Sequence, residues 1–365
     1  MKDLVYYNKY MATAEENFKF PGVEKFAQYF QHFYPTTTGL VDRNGGITFP
    51  FRMECLFPMP KYRTFDRSFE SICNDRAREM LDRAKKLDSK LHIFWSGGID
   101  STLALVSLLK QASDEERENI VVLMTEDSIL ENPNFYRDHV RGKLRTDAAN
   151  MFPYLLGTKH MLIGGECNDQ LFGSDIVAKF IQKFGTGFMH QPYSRDLFFS
   201  FFNDNAQNPE IVNFYLDLFE RLKDACPVKL TTNYHLLWWI NFSLKWQPVY
   251  MRILNFVSPR NAKNITPDYI RNVYDQFYAT EEFQLWSLNN LDKKIKDSWK
   301  TYKWVCKDII YDYTGDVDYR DNKLKRGSLH GVIIQRTQYN FIDKDFKFYE
   351  KLPTEEYYQP KNDFI

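Results

Sequence analysis

The chain has 365 residues, enough to bury one large core or two smaller ones, and its 48 basic and 48 acidic side chains cancel. That balance excludes the bulk electrostatics of a nucleic-acid or membrane-surface protein, and no apolar run approaches the roughly 18 residues of a membrane span. Five scattered cysteines, odd in number and never spaced as C-x-x-C, argue against a disulfide scaffold or structural zinc, and no signal-peptide core follows Met1, so the expectation is a soluble cytoplasmic protein.

Residues 1–65 read as an aromatic, irregular arm. After the turn Asn44-Gly45-Gly46, apolar residues alternate through Ile47, Phe49, Phe51, Met53, Cys55, Phe57 and Met59, which predicts a strand with one buried face. Pro50, Pro58 and Pro60 fall on the other face and place it at a sheet edge. From Asp66 or Ser68 to about Lys86 the spacing predicts a helix, with Phe69, Ile72, Cys73, Ala77, Met80, Leu81 and Ala84 on one face.

The most informative stretch follows. The apolar run Leu91 to Trp95 stops at Ser96-Gly97-Gly98, and a helical run begins at once with Leu103, Leu105, Val106, Leu108 and Leu109. Glycines let the chain turn sharply and bring backbone N–H groups close to a ligand, while the new helix aims its positive end at the same spot. Ser96, Ser101 and Thr102 add hydroxyls. The result is an anion cradle suited to phosphate. It lacks the Lys of the Walker loop, since no Lys follows the glycines before Lys110, and Asp100 stands in the turn instead. A carboxylate facing a polyphosphate needs a cation between them, so Asp100 implies Mg²⁺.

Asn119 to Thr125 reads as a second buried strand, and a crossover of this length makes the pair parallel and the fold an α/β layered one. A third strand from His160 ends in Gly164-Gly165-Glu166-Cys167-Asn168-Asp169. Its two acids, three residues apart, converge if a helical turn follows and suit divalent metal and acid/base work. Residues 176–310 look mainly helical: Pro209 opens a helix behind Asn208, and the patterns around Leu236–Ile240 and through Ile270, Val273 and Phe277 keep helical spacing. The basic stretch Tyr319 to Gly327 is the last candidate, and the tail beyond Leu329 alternates as a hairpin or arm does.

Taken together, Ser96-Gly97-Gly98-Ile99-Asp100-Ser101 resembles the pyrophosphate loop of the ATP pyrophosphatases, the adenine nucleotide alpha hydrolase superfamily. The second motif resembles the asparagine synthetase sequence Ser-Gly-Glu-Gly-Ser-Asp-Glu-Leu-Phe-Gly-Gly, with Gly165, Glu166, Asp169, Leu171, Phe172 and Gly173 as identities. The departures are Gly164 for Ser, Cys167 for Gly, Asn168 for Ser and Gln170 for Glu. The resemblance implies a parallel-sheet nucleotide-binding core of Rossmann-like layers, spanning residues 66–330. Within it, 66–175 would form the sheet and 176–330 a mainly helical substrate region, flanked by the arm 1–65 and a C-terminal hairpin or arm, 331–365.

It further implies an amide-forming ligase. ATP would adenylate a small-molecule carboxylate, AMP and pyrophosphate would be released, and ammonia or an amine would attack. By the same alignment, Ser96, Gly97, Gly98, Asp100 and Ser101 would bind pyrophosphate, while Phe94, Met124, Gly164 and Gly165 would line the adenosine. Asp100 and Asp169 would hold Mg²⁺, and Glu166 would be the catalytic carboxylate. In Lys323-Leu324-Lys325-Arg326-Gly327, Lys325 rather than Lys323 matches the family's active-site lysine, and Lys323 beside Arg320 and Asp321 reads as part of an exposed ion-pair cluster. Lys2 stands where glutamine-using members carry a catalytic Cys, so no glutaminase is expected. The partners implied are the carboxylate and a nitrogen donor, with a homo-oligomer or a separate ammonia-supplying protein allowed, and neither membrane nor nucleic acid. The competing reading is a tRNA- or nucleotide-modifying enzyme that adenylates a base oxygen. Its sulfur-transferring members rely on cysteines that this chain does not pair. A nucleotide sensor without turnover is disfavoured by the intact Asp100, Glu166 and Asp169.

Overall fold

A computed structural model describes residues 2–33, 39–173, 176–324 and 338–359. The chain divides into two compact units, each assembled from separated stretches: Met1–Lys61, Gly173–Asn255 and Gln338–Ile365 in one, Tyr62–Phe172 and Phe256–Thr337 in the other. Strands run in chain order as β1 (Asp3–Tyr7), β2 (Arg52–Met53), β3 (Leu91–Phe94), β4 (Ile120–Met124), β5 (Arg145–Ala148), β6 (Met161–Gly164), β7 (Tyr274–Gln276), β8 (Phe341–Asp343) and β9 (Phe348–Tyr349). No helix among the described residues is long and apolar enough to cross a membrane.

The unit containing both glycine motifs is α/β, built on a five-stranded, all-parallel sheet of order β5-β4-β3-β6-β7. Strand β3 lies between β4 and β6, with Leu91 opposite Ile120 on one side and Met161 on the other. Its residues are buried throughout, as a central strand covered on both faces requires. From β3 the chain builds outward through β4 to β5, then returns to place β6 and β7 on the opposite side. The direction therefore reverses between β3 and β6, and the crevice at their carboxyl ends is where ligands bind in open parallel sheets. Both glycine motifs end strands that flank it.

Helix Phe69–Lys86 begins at its Ser68 cap, whose side chain accepts from the Ser71 N–H, and buries the predicted apolar face. It packs on helix Ile99–Gln111, which also meets helix Trp304–Thr314. Sandwiched in this way, Ile99–Gln111 is buried at Ile99 and continuously from Ser101 to Leu109.

One helical expectation fails. Ile270 lies in the short helix Pro267–Asn272, but Val273 ends it and Tyr274–Gln276 forms β7, which completes the parallel sheet beside β6. Asp275 can sit in a buried strand because Arg76 and Arg83 donate to its carboxylate at 2.5 and 2.8 Å.

The other unit carries a four-stranded sheet of order β2-β1-β8-β9. The strand expected across Ile47–Met59 shrinks to Arg52–Met53, paired with β1 at the sheet edge, plus a bridge from Phe51 to Tyr358. Pro50, Pro58 and Pro60 have no N–H to bring to a ladder, so this stretch cannot pair along its whole length. Phe49 and Phe51 are nevertheless buried against Tyr7 and Phe26. The tail hairpin is found at Phe341–Tyr349, antiparallel to β1 through β8; Val332 and Ile333 lie outside the described residues. Helix Pro209–Asp224 starts at its Asn208 cap and buries Val212, Tyr215, Leu216, Phe219 and Leu222.

Candidate functional site

The first loop leaves β3 as predicted. Gly97 turns the chain at φ +73°, and a Cβ there would stand 2.5 Å from the Ser128 carbonyl oxygen. Only glycine fits that position without shifting the backbone. The Ser96 N–H donates to Ser101 Oγ at 3.0 Å, the two hydroxyls are 2.9 Å apart, and the Gly98 N–H approaches Ser96 Oγ at 3.3 Å. These bonds pre-shape the turn. Gly98 caps helix Ile99–Gln111 in an extended conformation and offers no side chain to its first-turn N–H groups. Thr102, expected among the cradle hydroxyls, is instead fully buried and accepts from the Trp95 indole N–H at 3.1 Å.

The second motif leaves β6 on the other side of the crevice. A Cβ on Gly164 would lie 2.1 Å from Gln276 Oε1, which also accepts from the Glu166 N–H at 3.2 Å. A Cβ on Gly165 would lie 3.2 Å from the Ser101 backbone nitrogen, so the two loops touch through backbone. Cys167 then adopts φ +72°, a left-handed conformation uncommon for a residue with a Cβ, at the position where the resembling motif has glycine. Helix Asn168–Phe172 follows and puts Asp169 in its first turn.

Here the predicted metal pair meets. Lys303 Nζ contacts Asp100 Oδ1 and lies 2.7 Å from Asp169 Oδ1, so one oxygen of each carboxylate converges on a single nitrogen. Lys303 is completely enclosed, whereas the Asp100 and Asp169 side chains keep 15% and 33% of their exposure, leaving the acids as the open side of the cluster. Asn168, fully buried, donates Nδ2 to Asp100 Oδ1 at 2.7 Å and approaches Cys306 Sγ at 3.8 Å. The Tyr302 hydroxyl approaches Asp169 Oδ1 at 3.3 Å, and the Tyr278 hydroxyl donates to the Asp100 carbonyl oxygen at 2.7 Å. Burial pushes the Cys306 thiol up, so it is an inert neighbour and not a nucleophile.

Lys303, Tyr278 and Tyr302 are site residues that the motifs did not reveal, and Asn168, which the second motif gives as a departure from its pattern, joins them. Phe94 ends β3, buried edge-on against Phe152 at 5.4 Å, and Met124, half-buried, ends β4. Both stand with the glycine loops at the carboxyl end of the sheet. Lys325 lies outside the described residues. Lys323 is not the exposed lysine its neighbours imply: it pairs with Glu131, the two side chains being 10% and 15% exposed. Arg320 and Asp321 do pair at the surface. Nearby, the Tyr319 hydroxyl donates to the Gly97 carbonyl oxygen at 3.2 Å, fastening helix Val317–Asn322 to the first loop.

Two cavities, of about 670 and 440 Å³, open at the amino ends of the strands, one beside Arg117, Lys143 and Arg145 and the other beside Lys90 and His160. Neither includes a residue of the glycine loops. No family model matches the chain, and no curated protein matches its sequence.

Proposed function

We propose that the chain is an ATP-dependent synthetase, built on a nucleotide-binding sheet of the adenine nucleotide alpha hydrolase type, that adenylates a carboxylate and forms an amide with ammonia or an amine. The observation that carries this reading is the convergence of Asp100 and Asp169 at the point where the sheet reverses direction. An uncapped helix start lies in the same place. A dinucleotide fold would not need the acid pair.

In this reading the N–H groups opening helix Ile99–Gln111 bind the β and γ phosphates, which leave together as pyrophosphate. Phe94, Met124, Gly164 and Gly165 border the adenosine, the glycines letting the nucleotide lie against backbone. The substrate carboxylate oxygen attacks the α-phosphorus, and the bond to the bridging oxygen breaks. The nitrogen nucleophile then attacks the acyl carbon and expels AMP, with Glu166 taking the proton it loses.

The donor set suits Mg²⁺. Two hard carboxylate oxygens from separate loops meet within reach of one centre, and the Asp169 side is open. When bound, the ion neutralises charge on the departing pyrophosphate. The chain's own part is to hold Asp100 and Asp169 at that spacing through Asn168 and Tyr302, and to exclude water behind them.

A direct test needs no knowledge of the substrate. The purified chain, ATP, Mg²⁺ and a metabolite extract are incubated with hydroxylamine, which converts acyl-adenylates to hydroxamates. Hydroxamate should form with wild type and disappear in Asp100→Asn. Nucleotide turnover without hydroxamate, across extracts, would refute carboxylate adenylation.

A further inference from the structure

We propose that Lys303 is the resting occupant of the cation position between Asp100 and Asp169, and that a divalent ion enters only together with a polyphosphate able to accept the ammonium. This rests on the reading of the site as one for ATP and metal, and adds an order of binding to it.

Lys303 stands where three unfavourable circumstances coincide. Its side chain has no exposure, its backbone is left-handed at φ +59°, and it caps the positive end of helix Trp304–Thr314. A buried charge, an αL residue with a Cβ and a cation at a helix N-terminus are each destabilising. The cap makes no side-chain hydrogen bond within the helix that would compensate. What offsets these costs is the acid pair. The Lys303 N–H bond to the Lys294 carbonyl oxygen, at 3.0 Å, fixes the backbone from which the ammonium reaches both acids.

An ammonium and a divalent ion cannot share that position. Adding the ion alone would set a divalent charge against the fully buried ammonium that already contacts both acids. Moreover, among the described residues no group of three or more His, Cys, Asp or Glu side chains is placed to hold a metal ion. Mg²⁺ is ordinarily held by one or two carboxylates completed by substrate phosphates and water. A polyphosphate supplies both missing parts: oxygens for the ion, and an anion for Lys303.

The test uses the full chain, Mn²⁺ as the metal probe read by electron paramagnetic resonance, and α,β-methylene ATP as a nucleotide that cannot be cut. Wild type should show saturable protein-bound Mn²⁺ only with the nucleotide present, measured against a control of Mn²⁺ and nucleotide without protein. Lys303→Met should bind Mn²⁺ alone, with affinity raised on the order of a hundredfold, and Asp169→Asn should lose binding in both settings. Circular dichroism establishes that each variant is folded; should Lys303→Met fail to fold, Lys303→Gln is measured in its place with the same expectation. Equal Mn²⁺ affinity of wild type with and without nucleotide overturns the proposal, as does a folded Lys303→Met that gains nothing. If wild type binds neither nucleotide nor Mn²⁺ in any combination, the ATP reading fails and this inference falls with it.

Discussion

Asn168→Asp is the most informative single perturbation, because it changes one atom's chemistry and almost no volume. Asn168 Nδ2 donates to Asp100 Oδ1 at 2.7 Å from a fully buried side chain. The substitution replaces that donor with a carboxylate oxygen, and two unit charges at this separation repel by about 6 kcal/mol at an effective dielectric of about 20. The chain has a cheaper escape, which is to keep the introduced carboxyl protonated. Holding a group of ordinary pKa near 4 neutral at pH 7 costs about 4 kcal/mol, at about 1.4 kcal/mol for each pH unit. The expected destabilisation is therefore about 4 kcal/mol at pH 7, falling to about 1–2 kcal/mol at pH 5. The sign follows from proton uptake: the folded variant binds a proton that its unfolded chain has released, so its deficit shrinks as pH falls. Urea denaturation of wild type and variant at pH 5, 6 and 7 reads this directly. A variant as stable as wild type at pH 7, or a deficit that ignores pH, would show that Asn168 does not face the Asp100 carboxylate.

Other outcomes follow from the same geometry. Gly97→Ala forces a Cβ to 2.5 Å from the Ser128 carbonyl oxygen at φ +73°, and should lower stability by about 2–3 kcal/mol while abolishing nucleotide binding by isothermal titration calorimetry. Removing either side of the buried Lys323–Glu131 pair, by Lys323→Met or Glu131→Gln, should cost about 3 kcal/mol, and the double variant should recover much of it in a thermodynamic cycle. His92, buried and facing His160 at 5.2 Å, has its pKa lowered to about 4 by burial and then by that neighbour, so the folded chain keeps it neutral. Its unfolded form takes a proton near pH 6.5, so stability should fall as pH drops from about 6.5 towards 4, and His92→Gln should flatten the pH 6.5 to 5 part of that decline in urea midpoints.

The centre of the parallel sheet was legible because β3, β4 and β6 are continuous apolar runs closed by glycine or a polar turn, a pattern that buried parallel strands share. β7 was not. Its residues Tyr274, Asp275 and Gln276 include two polar side chains, and Ile270, Val273 and Phe277 around them mimic a helical stripe. Burial of Asp275 is made tolerable by the distant Arg76 and Arg83, which no local pattern announces. β5 escaped for the opposite reason: Arg145 to Ala148 are exposed at the sheet edge and carry no apolar signal.

The two glycine loops announce themselves because glycine is required where backbones close on each other. Lys303 does not. It reaches Asp100 across 203 positions of sequence and sits in a stretch crowded with lysines, among them Lys294, Lys296, Lys300 and Lys307. The only local hint is a lysine set between Tyr302 and Trp304 at a helix start, where a cation is unfavourable unless an acid waits nearby.

The most direct test of the central claim follows label through the nucleotide. With ATP labelled at the α-phosphate in one reaction and the γ-phosphate in another, plus Mg²⁺ and a productive extract, the products are resolved by thin-layer chromatography. Label should appear in AMP and in pyrophosphate in equal amounts, and neither should form in Asp100→Asn or Asp169→Asn. Label in ADP and inorganic phosphate instead would place the cut between the β and γ phosphates and contradict the account.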